Sequence, residues 1–557
     1  MAKLVECVPN FSEGRDRGVI DAIAAALSSV STVKLLDVDP GADTNRTVYT
    51  LVGDPDGVVE AAYRGAAKAS ERIDMARHQG AHPRIGAMDV CPFVPVSEVS
   101  MDECVALAHR LGDRLGAELG VAVYFYEHAA SSPARRSLAD VRTGEYEGLE
   151  HRLKDPAWRP DRGPAVFNPR YGASVVGARD FLIAYNVNLN TRDRRLANEI
   201  ALNIREGGRL KRDAAGQPVV DEHGQKVKQP GRLKAVRAIG WYIDQYRQAQ
   251  VSINLLNYHA SPLHVVFETV CEEAASLGLR VTGSELVGLT PLEPLVAAGR
   301  YYVRRQGKSA GVAERELVEI AVRSLGLDQL GAFDAKKKVI EYHFTPAAPL
   351  ASLPVDRLVD EVSSESPAPG GGSVAALAGA LGAALAAMVA NLTVGKKGYE
   401  STWDELAALA ERAQGLKARL TAAVDADTVA FNGVLEAMRL PKATPDQEAA
   451  RAAALEQANQ EAARVPLDTA RLSLEALELA ERVAAIGSRN SATDAGVAAL
   501  VARAGVEGGA LNVLTNLSGI TEKAFANASR AEVTRLSERA REIERRVVER
   551  VLEGLHA

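Results

Sequence analysis

Twenty-one consecutive residues, Val374 to Val394 ("VAALAGALGAALAAMVANLTV"), carry no charge, so any fold must shelter most of them from water. The stretch is long enough to span a membrane. Its composition argues the other way: alanine and glycine dominate, only four leucines occur, and Asn391 and Thr393 interrupt it, so insertion would gain little. Leu377, Leu381, Leu385, Met388 and Leu392 form one helical stripe, and Ala375, Gly379, Gly382, Ala386 and Ala390 a smooth second face. The expectation is a buried helix in a tight bundle or dimer, with no membrane partner.

The surrounding sequence is of the same kind. Residues 352–557 hold four aromatics, Tyr399, Trp403, Phe431 and Phe525, and one histidine, His556, among long Ala/Leu/Glu/Arg runs at helical spacing. That predicts an all-α helical bundle over 352–557. Upstream, strand and helix signals alternate from "KLVECV" through "DRGVIDAIAAALSSV", "VKLLDVD", "RTVYTLVG" and "DGVVEAAYRGAAKASERI" to "IGAMDVCPFVPV", a helix from Met101, and "VAVYFYE". Residues 128–180 are rich in Pro, Gly and Arg and read mostly as loop. The strand-helix-strand-strand-helix plan recurs from "FLIAYNVNLN" onward, predicting an α/β or α+β part made of two subdomains, 1–180 and 181–329, joined to the bundle by a linker at 330–351. A polar, glycine-rich segment near 211–229 reads as an exposed loop.

The 557 residues exceed one core, and their formal charge of -6 offers no general attraction to nucleic acid. Cys7, Cys91, Cys104 and Cys271 are widely spaced with no C-x-x-C pair, which argues against a disulfide framework and a thiolate metal site. Together with an N-terminus, "MAKLVECVPNFSEGRD", that lacks a signal-peptide core, this predicts a cytoplasmic protein.

Three features can carry chemistry. In "HQGAHPRIGAMDV" (78–90), glycines on either side and Pro83 present His82 on a stiff loop, and an imidazole so held suits proton transfer near neutral pH. The alternative is an ordinary surface histidine. His78 stands four residues away, but Gly80 and Pro83 break the helix that a metal-binding pair would need, so no metal site is expected. In "RLTAAVDADTVAFNGVLEAMRLP", Asp427 falls on the stripe Leu420, Val424, Phe431, Leu435, Met438, where an apolar residue is expected; Asp425 points away and should be solvated. A carboxyl on that face is either bonded to a neighbouring helix or used with a raised pKa. In "SSESPAPGGGSVAAL" (363–377), Gly370, Gly371, Gly372 and Ser373 place backbone N–H groups at a helix start, either as an anion site or as a domain junction with a helix cap. Lys396 and Lys397 follow the far end of that helix and complement its dipole.

Taken together, "LVECVPNFSEGR", "DVDPGADTNRTVYTLVG", "RHQGAHPRIGAMDVCPFVPV", "GARDFLIAYNVNL", "SPAPGGGSVAALAGALGAAL" and "VDADTVAFNGVLEAMRLPK" resemble the formimidoyltransferase-cyclodeaminase family, the bifunctional folate enzymes of histidine degradation and one-carbon metabolism. The resemblance implies transfer of a formimino group from N-formimino-L-glutamate to tetrahydrofolate, then cyclisation to 5,10-methenyltetrahydrofolate with loss of ammonia. It assigns His82 as the transferase acid/base and Asp427 as the cyclodeaminase carboxylate. It also matches "GPAVFNPRYG" to the folate-binding loop: Gly163, Pro164, Phe167, Asn168, Arg170, Tyr171 and Gly172, with Arg170 toward a folate carboxylate and Phe167 or Tyr171 against the pterin. It implies tetrahydrofolate, as its polyglutamate, for co-substrate, no tightly bound cofactor, and a homo-oligomer. The segment 211–229 looks longer than the family's usual connection. Two alternatives stand beside this: a transferase fused to a methenyltetrahydrofolate cyclohydrolase-like domain, and a non-catalytic oligomeric scaffold.

Overall fold

The computed structural model describes residues 3–80, 82–213, 217–221, 223, 225–344 and 349–556. The chain divides into two compact units, residues 1–294 with 325–344, and residues 295–324 with 345–557.

The first unit opens with β1 (Leu4–Cys7), β2 (Asn10–Phe11), α1 (Arg17–Leu27), β3 (Val33–Gly41), β4 (Arg46–Gly53), α2 (Pro55–Arg72), β5 (Met88–Ser97), α3 (Met101–Glu118) and β6 (Ala122–Glu127). The helices begin where the sequence supplies caps: Asp16 and Asp54 accept the first free N–H groups of α1 and α2, and Ser100 with Glu103 closes a capping box on α3. After α4 (Leu138–Val141) and α5 (Glu145–Arg152) comes β7 (Ala173–Ala178), which pairs in parallel with both β5 and β6; β1 to β5 pair antiparallel. β7 and α5 fall inside the stretch read as loop, because a short strand of small residues, "ASVVGA", gives no alternation to detect.

Side chains alternate across this sheet. Val5 and Cys7 join a core with Ile20, Ala62 and Leu107 of the three long helices, so Glu6 faces the other way. Cys7 and Cys91, far apart in sequence, lie with their sulfurs 3.5 Å apart as free, buried thiols on paired strands.

The plan then repeats as β8 (Ile183–Leu189), α6 (Arg194–Ile204), β9 (Arg209–Leu210), β10 (Lys228–Gln229), β11 (Val236–Ile243), β12 (Gln248–Leu255), α7 (Leu263–Ser276) and β13 (Val281–Val287). β8, β11, β12 and β13 form an antiparallel sheet in the order β11-β12-β8-β13. The segment 211–229 is an exposed ribbon, β9 pairing with β10 and isolated bridges joining Arg212 to Pro218 and Val220 to Lys226. Residues 214–216, 222 and 224 of that segment, 345–348 of the linker, and Ala81 beside His82 lie outside the described residues.

α8 (Leu292–Arg305) and α9 (Glu314–Leu325) belong mainly to the second unit, and α10 (Ala335–Lys338) returns to the first. The second unit continues with α11 (Val355–Val362), α12 (Gly371–Thr393), α13 (Trp403–Met438), α14 (Pro445–Ile486), α15 (Ala492–Asn516) and α16 (Lys523–His556). Gly311, between α8 and α9, accepts from Asn391 at 2.7 Å and from Gln414 at 3.0 Å, which ties residues 295–324 to the bundle.

α12 is packed by its small residues. Ala375, Gly379, Gly382, Ala386 and Ala390 are buried, while Leu381 and Leu392 are 51% and 56% exposed. Two described segments, Gly371–Thr393 and Arg489–Gly519, are apolar and long enough to cross a membrane; 61% of the first one's most apolar window is already buried within the unit. Asp425 is not solvated as expected: it accepts the Leu350 and Ala351 N–H groups at 2.9 and 3.1 Å, fastening the linker's described end to α13.

At the crossing of α12 and α14 a Cβ added to Gly379 would lie 2.2 Å from Ser473 Oγ. Gly379→Val should therefore cost about 1–3 kcal/mol by overpacking, read as a lower denaturation midpoint of the helical unit by far-ultraviolet circular dichroism.

Candidate active sites

His82 is carried by the irregular segment between α2 and β5. That segment meets the sheet through bare backbone. A Cβ on Gly86 would lie 2.0 Å from the Ala173 carbonyl oxygen, and one on Gly172, at φ +76°, 2.2 Å from that of Ile85. Below it, fully buried Asp89 accepts the Ile85 N–H at 2.9 Å and an N–H of Arg142, locking the segment to the start of the α4–α5 region.

The ring of His82 is held on both sides. Nδ1–H donates to the Pro83 carbonyl at 2.7 Å, which leaves Nε2 as the lone-pair nitrogen, facing an N–H of Arg46. Arg46 also donates to Asn10 Oδ1, and its Nε is buried without a hydrogen-bond partner. Burial, and next the Arg46 guanidinium, push the His82 pKa below the usual histidine value; Arg142 acts the same way and Asp89 opposes. The imidazole is thus neutral at physiological pH, with Nε2 available as a base. His78 is occupied elsewhere, Nε2 with the Asn45 carbonyl at 2.8 Å and Nδ1 accepting from Arg84. Among the described residues no group of three or more His, Cys, Asp or Glu is placed to hold a metal ion.

His82 lines a cleft of about 960 Å³ between the two sheets of the first unit, with Arg142, Arg179, Arg237 and Asn257 around it. The walls also carry Glu127, Glu145 and Asp180, and Arg142 is paired with Asp89, so Arg179 and Arg237 are the guanidinium groups placed to meet a substrate carboxylate.

The loop 163–172 is pinned at both ends, by Gly163 against the Val121 carbonyl and by Gly172 against Ile85. Asn168 Oδ1 accepts from the Arg170 and Tyr171 N–H groups, each at 3.1 Å, and the Asn168 carbonyl from Gly172, so its last turn is fixed. The Tyr171 carbonyl accepts from Ala87, joining the loop to the segment that carries His82. Pro164 is exposed, and Phe167 is half-buried against Tyr146, ring centroids 5.5 Å apart. Tyr171 is 1% exposed and bonded to Ser174, so its ring supports the core and offers no face to a pterin. Arg170 already donates from its side chain to the Glu71 carbonyl.

In the second unit Asp427 is half-buried, because the buried stripe of α13 pauses between Val424 and Val434. Its carboxyl sits on the first turn of α12. Ser373 Oγ donates to the Val424 carbonyl at 2.8 Å and lies 3.4 Å from Asp427 Oδ2, and a Cβ on Gly372 would fall 2.1 Å from Asp427 Oδ1. Glycine is needed at 372 because the carboxyl occupies that space. Burial raises the Asp427 pKa, and bonds from the Ser373 hydroxyl and N–H oppose the rise. α12 starts at Gly371 after Gly370, with Asn512 of α15 beside Gly371. Ser373 is therefore a bridge to α13, and Gly370 takes the cap position.

Lys396 and Lys397 are not brought to these glycines. α12 has 23 residues between them, about 33 Å at the helical rise. Lys396 donates to Ser488 Oγ at 2.6 Å and Lys397 is exposed.

Arg46, Asn10, Arg142 and Asn512 escaped the sequence reading. Asp89 alone left a signal, as a charge inside the apolar run "MDVCPFV".

An imidazole in an α/β cleft and a carboxyl against a helix start in an all-α unit are two groups able to exchange a proton, one in each part of the chain, as in a two-part enzyme. Comparison with known proteins divides the chain similarly. Residues 4–179 match the family described as "Formiminotransferase domain, N-terminal subdomain", 184–345 "Formiminotransferase domain", and 354–535 "Formiminotransferase-cyclodeaminase". Formimidoyltransferase-cyclodeaminase of Sus scrofa is 46% identical over 545 residues, 97% of each chain. Glutamate formimidoyltransferase of Streptococcus pyogenes is 41% identical over 55% of this chain and 94% of its own. Methenyltetrahydrofolate cyclohydrolase of Methylorubrum extorquens is 42% identical over 35% of this chain and 95% of its own. The chain belongs to the formimidoyltransferase-cyclodeaminase family.

The Arg46 contact makes one direct prediction. In Arg46→Gln the His82 pKa rises toward 6.5 while burial keeps it somewhat below, as a titration of ¹³C-labelled histidine by NMR would show. An unchanged pKa would mean that Arg46 does not govern the ring's charge.

Proposed function

We propose that the first unit transfers the formimino group of N-formimino-L-glutamate to tetrahydrofolate at His82, and that the helical unit cyclises the product at Asp427 to 5,10-methenyltetrahydrofolate, releasing ammonia. The observation that carries the first half is the neutral His82 held in an arginine-lined cleft. Tetrahydrofolate N5 attacks the formimino carbon, and a tetrahedral intermediate forms. Substrate takes the place of Arg46 at Nε2, which accepts the N5 proton and returns it to the departing glutamate nitrogen. The arginines hold the carboxylates of both substrates. The loop 163–172, with Phe167 and Pro164 as its available apolar faces, borders the folate.

In the second step folate N10 attacks the same carbon and ammonia leaves. The raised pKa of Asp427 lets its carboxyl take the N10 proton and pass it to the leaving amine. Gly370, Gly371, Gly372 and Ser373 supply the rim of this site, and Asn512 stands across it. Neither step needs a tightly bound cofactor; tetrahydrofolate polyglutamate is co-substrate, and the enzyme acts in the cytoplasm with no nucleic acid or membrane partner. It is a homo-oligomer, supported by leucines left exposed on adjacent helices, Leu381 and Leu392 on α12 and Leu500 and Leu511 on α15.

A second reading rests on the similarity of the helical unit to a methenyltetrahydrofolate cyclohydrolase. Ammonia decides between them, since hydrolysis of the methenyl group releases none.

Purified protein given formiminoglutamate and tetrahydrofolate should release ammonia and develop the methenyl absorbance. His82→Ala should lose at least 100-fold in transfer yet still deaminate added 5-formiminotetrahydrofolate. Asp427→Ala should still transfer and accumulate that intermediate. Gly372→Ala, which displaces the Asp427 carboxyl, should resemble Asp427→Ala. Folded wild type that yields neither product would return the chain to the scaffold reading.

A further inference from the structure

Beside the His82 cleft lies a second cavity, of about 360 Å³, on the face of the first sheet turned away from α1, α2 and α3. Arg179 and Leu182 line both spaces, so the two share a wall. Into the smaller one points Glu6 of β1, 5% exposed, and among the described residues no hydrogen bond or ion pair reaches its carboxyl. The other charged groups on the walls are Asp37, Arg179, Lys337 and Lys338; Val287 and Ala184 of the second sheet supply apolar surface.

A carboxyl in the middle of an apolar strand costs stability unless something offsets it. The fold offsets this only in part: burial pushes the Glu6 pKa up to about 7, and Arg179 opposes the rise. The mechanism through His82 leaves this group unused. Leu36, Asp37, Thr50, Ala184 and Val287 wall it from strands of the two sheets, and connecting segments close the rest. What suits two carboxylate oxygens in such a pocket is a planar pair of N–H groups on one carbon, which offers two parallel hydrogen bonds.

We propose that Glu6 forms the floor of a specificity pocket opening beside the His82 cleft, where its carboxylate receives an N–C–N donor edge of a transferase substrate. This rests on the function proposed above, which supplies two carriers of that chemistry: the formamidine group of formiminoglutamate and the amino-pyrimidinone edge of tetrahydrofolate. Each binds as a bidentate donor to a carboxylate. At the amidine Glu6 would hold the two nitrogens of the reacting group without exchanging a proton with them, and at the pyrimidinone it would touch only ring atoms remote from N5; in either case it is a binding residue that orients substrate.

The test uses the full-length protein and the variant Glu6→Gln, which keeps shape and loses one acceptor and the charge, with Glu6→Asp as a partner that keeps the charge but withdraws it by one methylene. Tetrahydrofolate affinity is measured by calorimetry, and KM and kcat for formiminoglutamate by product formation. Deamination of added 5-formiminotetrahydrofolate serves as the control for folding and should be unchanged. The expected result is a tenfold or greater weakening for one substrate in Glu6→Gln, a smaller one in Glu6→Asp, and kcat within about twofold of wild type. A change in the tetrahydrofolate Kd alone assigns the pterin edge; a change in the formiminoglutamate KM alone assigns the amidine. Because it removes an unpaired buried carboxyl, Glu6→Gln should also melt no lower than wild type at pH 8. Active wild type with both affinities unmoved in folded Glu6→Gln would overturn this proposal alone, whereas wild type without transferase activity would overturn the functional reading and this one with it.

Discussion

The placement of His82 depends on two backbones touching where no side chain fits. Gly86 lies against the Ala173 carbonyl and Gly172 against Ile85, so the segment carrying His82 and the end of the loop 163–172 are one structure. Without that approach Asp89 would not reach the Ile85 N–H, and the tie from β5 to Arg142 would be lost. His82 itself adds a bond to the neighbouring Pro83 carbonyl and one to Arg46. Its position is therefore set by residues with no chemistry of their own. The helical unit uses the same device at Gly372, whose missing side chain is the space that the Asp427 carboxyl fills.

Much of this was legible in the sequence, and what was not has physical reasons. Period-two and helical patterns located β1, α1, β3, β4, α2, β5, α3 and β6, since each buries one face against a continuous core. β7 was hidden because strands buried on both faces and built from Ala, Ser, Val and Gly show no alternation, and its parallel partners are distant in sequence. The site residues divide the same way. His82 and Asp427 stand out as polar groups in unusual local settings. Arg46 and Arg142 are ordinary arginines in their own segments and matter only through the partner that folding brings to them.

Periodicity found both faces of α12 without saying which one is inside. Hydrophobicity alone favours burying the leucines. The bundle instead buries alanine and glycine, because close approach of helix backbones needs small residues and gains contact along the whole crossing. Leu381 and Leu392 are left for a surface while Leu377 and Leu385 are half-buried beside the core, and the same logic holds for α15, where Ala498, Ala502 and Gly505 are buried while Leu500 and Leu511 are exposed. Asp425 and Asp427 show how fine such a distinction is. Two residues apart on one helix, the first accepts two linker N–H groups and the second faces a helix start, so their roles are set by what packs opposite.

Both sites put one physical effect to opposite use. Loss of hydration disfavours whichever form is charged, so it lowers the pKa of an imidazole and raises that of a carboxyl. At His82 the neutral form is a base, and Arg46 strengthens the effect by opposing a second positive charge. At Asp427 the neutral form is an acid, and the Ser373 groups weaken the effect by stabilising the anion, which keeps the carboxyl able to lose its proton as well as to hold it. Formimino transfer must take a proton from the attacking nitrogen, and deamination must end by giving one to a departing nitrogen. Each unit thus sets a titratable side chain at the edge of its core, buried enough to shift its pKa toward the neutral form and still partly open.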